Sequence, residues 1–285
     1  MHPSRFAVNC SILFTELPLL ERAQAARAAG FDAVEFWWPF PDAVPSDSDV
    51  DRFVASVRDA GVQLVGLNFF AGDMPGGDRG TVSWPERSHE FRDNVDVVVD
   101  IGRRLGCRAF NALYGNRVAG VDPDTQDNLA VENLALAARA VEGIDGVVLL
   151  EAVSGSEAYP LKLAADAIRV LDRVEQDTGA TNLRFLLDAY HLSVNGDDVD
   201  AVLHNHLART GHVQIADAPG RGEPGTGSLD IPGFLGRLDD AGYTGWVALE
   251  YKPTTARTID SLGWLTPEQS TTGRAMAHGT GSELA

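Results

Sequence analysis

The chain has 285 residues, 44% of them hydrophobic and 22% charged, which provides for a sizeable core and excludes a disordered or fibrous chain. With 23 Lys and Arg against 41 Asp and Glu, its formal charge is −18, a balance that opposes phosphate backbones and anionic lipid and makes nucleic acid and membrane surfaces poor partners. Two cysteines, Cys10 and Cys107, are too few for a disulfide framework, no run approaches the ~20 apolar residues of a membrane helix, and MHPSRFAVNCSILF does not read as a secretory signal, so a cytoplasmic protein is expected.

Along the chain, short β-rich runs alternate with amphipathic patterns. A strand at 5–9 precedes a helix at 17–29, a strand at 32–36 a helix at 50–60, and a strand at 62–68 a helix at 86–105. The strand at 108–113 leads to a helix at 126–142, and that at 146–151 to one at 161–178. A strand at 184–188 leads to a shorter helix at 198–208, a strand at 212–215 to a helix at 231–241, and a strand at 246–250 closes the series. Val147-Val148-Leu149-Leu150 and Phe185-Leu186-Leu187 are continuous apolar runs, as in strands covered on both faces. Six helices stop at a glycine, namely Gly30, Gly61, Gly106, Gly143, Gly179 and Gly242, the signal of a left-handed C-cap. Eight strands with intervening helices predict a closed (β/α)8 TIM barrel rather than a doubly wound sheet. No linker divides the chain, so one barrel domain over residues 1–265 is expected, followed by a polar tail at 266–285 read as disordered.

In such a barrel the active site gathers at the C-terminal strand ends, which here carry Asn9, Glu35, Asn68, Asn111, Glu151, Asp188, Gln214 and Glu250. Strands meet solvent at their ends, so some polarity is ordinary. Three carboxylates and a carboxamide on strands five to eight are more than that account predicts. Glu151, Asp188 and Glu250 would repel one another in a low-dielectric mouth unless protons or a cation relieved them. With the Gln214 amide oxygen they form an all-oxygen donor set, suited to Mg²⁺ or Mn²⁺ before Zn²⁺.

His191, three residues after Asp188, can reach substrate from the following loop or simply bond at a helix start. His212 shares the face of Gln214 one layer deeper, where a supporting role is expected. The Gly/Pro-rich loop after strand seven, from Ala216 to Gly227, contains Arg221 and Glu223, and Lys252 follows Glu250. Arg221 and Lys252 are the cations able to hold a substrate carboxylate or, equally, to pair with Glu223 or Asp217, with Glu223 and Asn68 as further substrate contacts. Trp37 and Trp38 would wall the mouth or serve as packing. Walker, GxGxxG and Gly-x-Ser-x-Gly patterns are all missing from the places that would give them meaning.

These segments resemble the hydroxypyruvate isomerase family of the xylose-isomerase-like barrels. The resemblance rests on Asn9-Cys10-Ser11-Ile12-Leu13-Phe14, Val34-Glu35-Phe36, Asn68-Phe69-Phe70-Ala71-Gly72-Asp73, Phe91-Arg92-Asp93 and Asp188-Ala189-Tyr190-His191. The stretch from Gly211 to Gly227 is its most specific part, and Glu250-Tyr251-Lys252-Pro253 completes it. It implies Glu151, Asp188, Gln214 and Glu250 as metal ligands, with Glu151 and Glu250 also the acid/base pair. The implied metal is Mg²⁺, then Mn²⁺, with Zn²⁺ or Co²⁺ as alternatives. One departure is Glu151-Ala152-Val153-Ser154, where the family continues Glu-Pro-x-Asn, a change that reshapes the pocket edge.

The implied reaction interconverts hydroxypyruvate and tartronate semialdehyde through an enediolate. A 2-oxo-tetronate isomerase or ketose 3-epimerase on the same site is the nearest rival, and a metal-dependent hydrolase the next. The expected partner is a small hydroxy-keto acid or sugar, with no nucleic acid and no membrane; assembly as a homo-oligomer is left open.

Overall fold

The computed structural model describes residues 5–265. Its strands are β1 (Arg5–Asn9), β2 (Ala33–Phe36), β3 (Gln63–Asn68), β4 (Ala109–Asn111), β5 (Val147–Glu151), β6 (Leu183–Asp188), β7 (Thr210–Ile215) and β8 (Trp246–Leu249). Each pairs in parallel with the next, and β8 pairs with β1, so the sheet closes on itself. Around it run α1 (Leu19–Ala28), α2 (Asp47–Ala60), α3 (Ser88–Leu105), α4 (Pro123–Glu142), α5 (Ala164–Thr178), α6 (Ala189–Val194), α7 (Val199–His206) and α8 (Ile231–Asp240). The expected (β/α)8 barrel is the fold. The expected tail at 266–285 lies outside the described residues, among which no helix is long and apolar enough to cross a membrane.

Helix starts follow caps rather than apolar periodicity. Ser46 accepts from the Asp49 amide (3.2 Å) and Asp122 from that of Thr125 (3.0 Å), so α2 and α4 begin three residues before the first periodic position. Pro18 is the N-cap of α1, which therefore starts at Leu19. The short α6 adds a helix to the series, in line with the helix-start reading of His191: the Asp188 carboxylate accepts from the amides of Tyr190 and His191 and starts it directly at the end of β6. Gly61, Gly106 and Gly179 are left-handed C-caps as expected. Gly143 is not, with φ −63; the chain turns two residues later at Asp145, φ 55, a residue type that tolerates this conformation.

Alternation along the strands divides the core into two compartments. Val8, Val34, Leu64, Phe110, Val148 and Phe185 belong to the large shell against the helices. Ala7, Ala33, Val65 and Ala248 form a separate cluster within the barrel. Two residues on from three of these small side chains stand Asn9, Glu35 and Glu250, so small residues fill the layer beneath the polar mouth.

The loop from β3 to α3 is pinned across the mouth. The Gly80 amide donates to the Ala71 carbonyl (2.9 Å), and the Gly115 amide to the Arg79 carbonyl (2.9 Å). Gly80 has φ +104, and a Cβ there would lie 1.8 Å from the Leu113 carbonyl oxygen. Gly80→Ala should therefore destabilise the barrel by about 2–4 kcal/mol, adding backbone displacement to left-handed strain. Thermal unfolding followed by circular dichroism should show a melting temperature lower by roughly 5–10 °C.

Candidate active site

Three strand-end residues, Asn68, Glu151 and Glu250, line a cavity of about 880 Å³ together with His191, Arg221 and Lys252, with Trp37 and Trp38 among the aromatic residues of its wall, whereas Asp188 and Gln214 are not among its lining residues. Glu151, Asp188 and His191 are buried, and one potential ligand atom from each lies within 4.8 Å of the other two. The structure thus brings His191, expected to touch substrate, into the carboxylate cluster itself. Its Nε2 is 3.7 Å from Asp188 Oδ2.

His191 has a defined tautomer. The Ser154 amide donates to Nδ1 (3.1 Å), and the Ser154 hydroxyl lies 2.7 Å from the same nitrogen. Nδ1 is therefore an acceptor, and the ring proton sits on Nε2, towards Asp188 and the cavity. Burial lowers the imidazole to about 4; the Asp188 charge opposes the shift, while Arg221 and Arg79 reinforce it. Ser154 occupies the position where the family pattern has Asn, and it holds this ring.

Gln214 and Glu250 are arranged differently from one another. Gln214 Nε2 donates to Glu35 Oε1 (2.7 Å), while its buried Oε1 has no hydrogen-bond partner among the described residues. A buried amide oxygen without a donor is what an absent cation would leave behind, so the donor set fits a divalent metal. Glu250, one residue beyond β8, pairs with Arg221 Nη2, and its Oε2 accepts from Asn9 Nδ2 at 3.2 Å. Its carboxyl is raised well above the ordinary range by burial, against the pull of Arg221 and with the push of Glu35, Asp188 and Glu151.

The Glu151 carboxylate accepts a single hydrogen bond among the described residues, from Asn111 Nδ2 (2.7 Å), and feels the Arg221 charge. Burial and then the Asp188 charge raise it to about 8. Arg221 is kept charged despite burial by Glu250, Asp188 and Glu151, and its guanidinium carbon sits 5.3 Å from the Tyr190 ring centroid.

Three further expected contacts lie in distinct places. Asn68 is buried at the cavity wall. Lys252 is exposed at the rim, its amide donating to the Arg221 carbonyl (2.7 Å). Glu223 accepts from the amide and hydroxyl of Thr254, which ties the loop after β7 to the segment after β8.

Sequence reasoning noted Glu35 at a strand end but assigned it no role. It accepts from Asn9 Nδ2 (2.8 Å) and from Gln214, and His212 Nε2 lies 2.6 Å from its other oxygen. His212 thus has the supporting role expected of it, and a fourth acid at a strand end was the available signal. Gly66 leaves room for this acid, since a Cβ there would approach Glu35 Oε2 to 3.0 Å.

The raised Glu151 carboxyl sets a sign for stability. An acid whose pKa is about 8 in the folded state, against an ordinary 4.5, adds stability that is complete below the unfolded value and lost as pH rises through the folded one. His191 acts in the other direction and at lower pH, between its ordinary 6.5 and about 4. Protein in excess chelator should therefore melt at falling temperatures from about pH 6.5 to 8, and Glu151→Gln should lessen that slope while Glu250, raised in the same direction, keeps part of it. Calorimetric scans across this range check both.

Residues 23–268 match the family described as xylose isomerase-like TIM barrel. A Streptomyces coelicolor protein named "Putative hydroxypyruvate isomerase" is 58% identical over 92% of this chain and 95% of its own length. The Escherichia coli hydroxypyruvate isomerase is 32% identical over 92% of this chain and 98% of its own. A Brucella melitensis structure named as an AP endonuclease of family 2 superposes with a TM-score of 0.81 at 32% identity, covering 92% of this chain and 97% of that one. With this extent of match on a closed eight-stranded barrel, the chain belongs to the xylose isomerase-like TIM barrel family.

Proposed function

We propose that this isomerase interconverts hydroxypyruvate and tartronate semialdehyde by proton transfer through an enediolate, with a divalent metal at the barrel mouth. The observation that carries the reading is a pair of buried glutamates, Glu151 and Glu250, both raised in pKa, in a cavity that also presents the neutral His191. Mg²⁺ suits the oxygen donors best, with Mn²⁺ next and Zn²⁺ or Co²⁺ as alternatives. Glu151, Asp188, Gln214 and Glu250 would hold it, beside His191, and its charge would favour the developing enediolate.

Within this frame one glutamate removes a proton from C3 of hydroxypyruvate, the C3 hydroxyl proton passes to the C2 oxygen, and return of a proton to C2 completes the change. A carboxyl near neutral pKa is suited to both halves. His191 Nε2–H donates to a substrate oxygen, Asn68 and Arg221 contact the substrate from the wall, and Lys252 faces it from the rim. Glu223 acts on substrate through the loop it anchors. Trp37 and Trp38 keep water from the intermediate, and no redox cofactor is required because electrons stay within the substrate.

A 2-oxo-tetronate isomerase is the second reading, favoured by the cavity of about 880 Å³, which exceeds the needs of a three-carbon acid. The Cupriavidus necator enzyme of that name is 33% identical over 92% of this chain. Ketose 3-epimerisation would use the same glutamates. Hydrolysis of DNA, suggested by the name of the Brucella protein, fits a chain of charge −18 poorly. We place the protein in the cytoplasm, where Cys10 and Cys107, both buried and unpaired, would stay reduced.

Metal-stripped protein reloaded with Mg²⁺, Mn²⁺ or Zn²⁺ should turn over hydroxypyruvate ahead of 2-oxo-tetronates and ketoses in a substrate panel; preference for a ketose rejects the reading. Glu151→Gln and Glu250→Gln should each lose about 10²–10⁴ in turnover, with metal content measured in the same samples. Asp188→Asn should weaken Mn²⁺ binding in a direct titration by removing an anionic donor; unchanged affinity would remove Asp188 from the ligand set.

A further inference from the structure

The cavity of this acidic chain carries more cations than carboxylates. Five cations, Arg22, Arg79, Arg87, Arg221 and Lys252, line it against three carboxylates, Asp73, Glu151 and Glu250, although the whole chain carries 41 acids to 23 Lys and Arg. Most of these cations are already engaged. Arg221 is paired with Glu250, and Arg87 with Asp78 and Glu90. Arg22 is tied through two different nitrogens to the carbonyls of Leu17 and Cys10 (3.0 Å each). Lys252 is exposed at the rim.

Arg79 differs. It is half-buried on the pinned loop between β3 and α3 and makes no ion pair among the described residues. Its Nη1 donates to the carbonyls of Met74 (3.0 Å) and Asp78 (2.6 Å). These bonds fix the guanidinium while Nε and Nη2, the two donors of one edge, have no protein acceptor among the described residues. That edge has the spacing that receives a carboxylate in two parallel hydrogen bonds. The nearest acid in sequence, Asp78, is taken by Arg87 Nη1 (2.6 Å) and by the Asp73 amide (2.8 Å).

The loop is built to hold this side chain still. Besides the Gly80 and Gly115 bonds, Asn94 on α3 accepts from the Phe70 amide (2.8 Å), and Asn133 on α4 donates to the Val82 carbonyl (2.7 Å). Arg79 also acts electrostatically on His191, so its charge reaches the carboxylate cluster.

We propose that Arg79 is the anchor for the substrate carboxylate and makes the site selective for hydroxy-keto acids over neutral ketoses. This rests on the isomerase reading above and names the residue that selects its substrate class. Arg221, held by Glu250, is then free of that task.

The test compares Arg79→Gln, Arg79→Lys and Lys252→Gln in the metal-loaded full chain, with circular dichroism confirming the fold. Hydroxypyruvate and dihydroxyacetone are the substrates, identical except that the second has a hydroxymethyl group for the carboxylate. Tartronate is titrated calorimetrically as a non-reacting carboxylate probe. Arg79→Gln should raise KM for hydroxypyruvate about 10–100-fold, as loss of a charged hydrogen-bonded contact does, with little change in kcat. Tartronate affinity should fall in parallel, dihydroxyacetone turnover should hold within about twofold, and Arg79→Lys should recover part of the loss.

Equal losses on acid and neutral substrates, or unchanged tartronate binding, overturn the assignment. A KM effect confined to Lys252→Gln moves the anchor to the rim and overturns it equally. If wild-type protein converts neither substrate yet binds tartronate through Arg79, the anchor stands and the hydroxypyruvate reading fails.

Discussion

Four carboxylates buried at one end of a closed barrel are the constraint around which the mouth is arranged. Glu35, Glu151, Asp188 and Glu250 arrive on or just after β2, β5, β6 and β8, where low dielectric magnifies their repulsion. Each is relieved by a different device. Glu35 receives Asn9, Gln214 and His212, and Asp188 receives the first amides of α6. Glu250 has Arg221. Glu151 accepts from Asn111 and feels the Arg221 charge, yet burial and Asp188 raise it to about 8. Burial raises Glu151 and Glu250 alike, so both acids of the mouth hold their protons above the ordinary carboxylate range.

The same arrangement explains why a strongly acidic protein concentrates arginine at the cavity. Repulsion among the acids limits how many anions the mouth accepts, and an anionic substrate would add another. Arginines on the loops after β3 and β7 offset that charge. Both loops are fixed by hydrogen bonds from their backbone amides: the Asp217 carboxylate alone accepts from the amides of Ala218, Gly225, Gly227 and Leu229. The cost of holding the charges in place is thereby met before any ligand arrives. The change from Pro and Asn to Ala152 and Ser154 fits the same pattern, since Ser154 orients His191 through both its amide and its hydroxyl.

Strand positions and the polar character of the mouth were legible along the chain because both follow local rules. Continuous apolar runs mark strands covered on both sides, and the residue that ends each run reaches the mouth once the sheet closes. Helix starts were less legible. Pro18, Ser46 and Asp122 place them by hydrogen bonds and ring geometry at positions outside the apolar period. The glycine rule failed at Gly143 because the turn into β5 runs on to Asp145.

What the sequence by itself determined is the barrel, its eight polar strand ends and the acid-rich donor set, all products of patterns that repeat within a few residues. Only the tertiary structure decided which groups meet. Glu35 orients Gln214 across 179 positions of sequence, Ser154 reaches His191 across 37, and Arg221 turns to Glu250 across 29. Whether Arg79 keeps a free edge depends on Arg87 occupying Asp78. Such pairings leave no periodic trace, because hydrogen bonds and Coulomb forces act on distance in space, and the closing of the sheet alone brings these side chains within reach of one another.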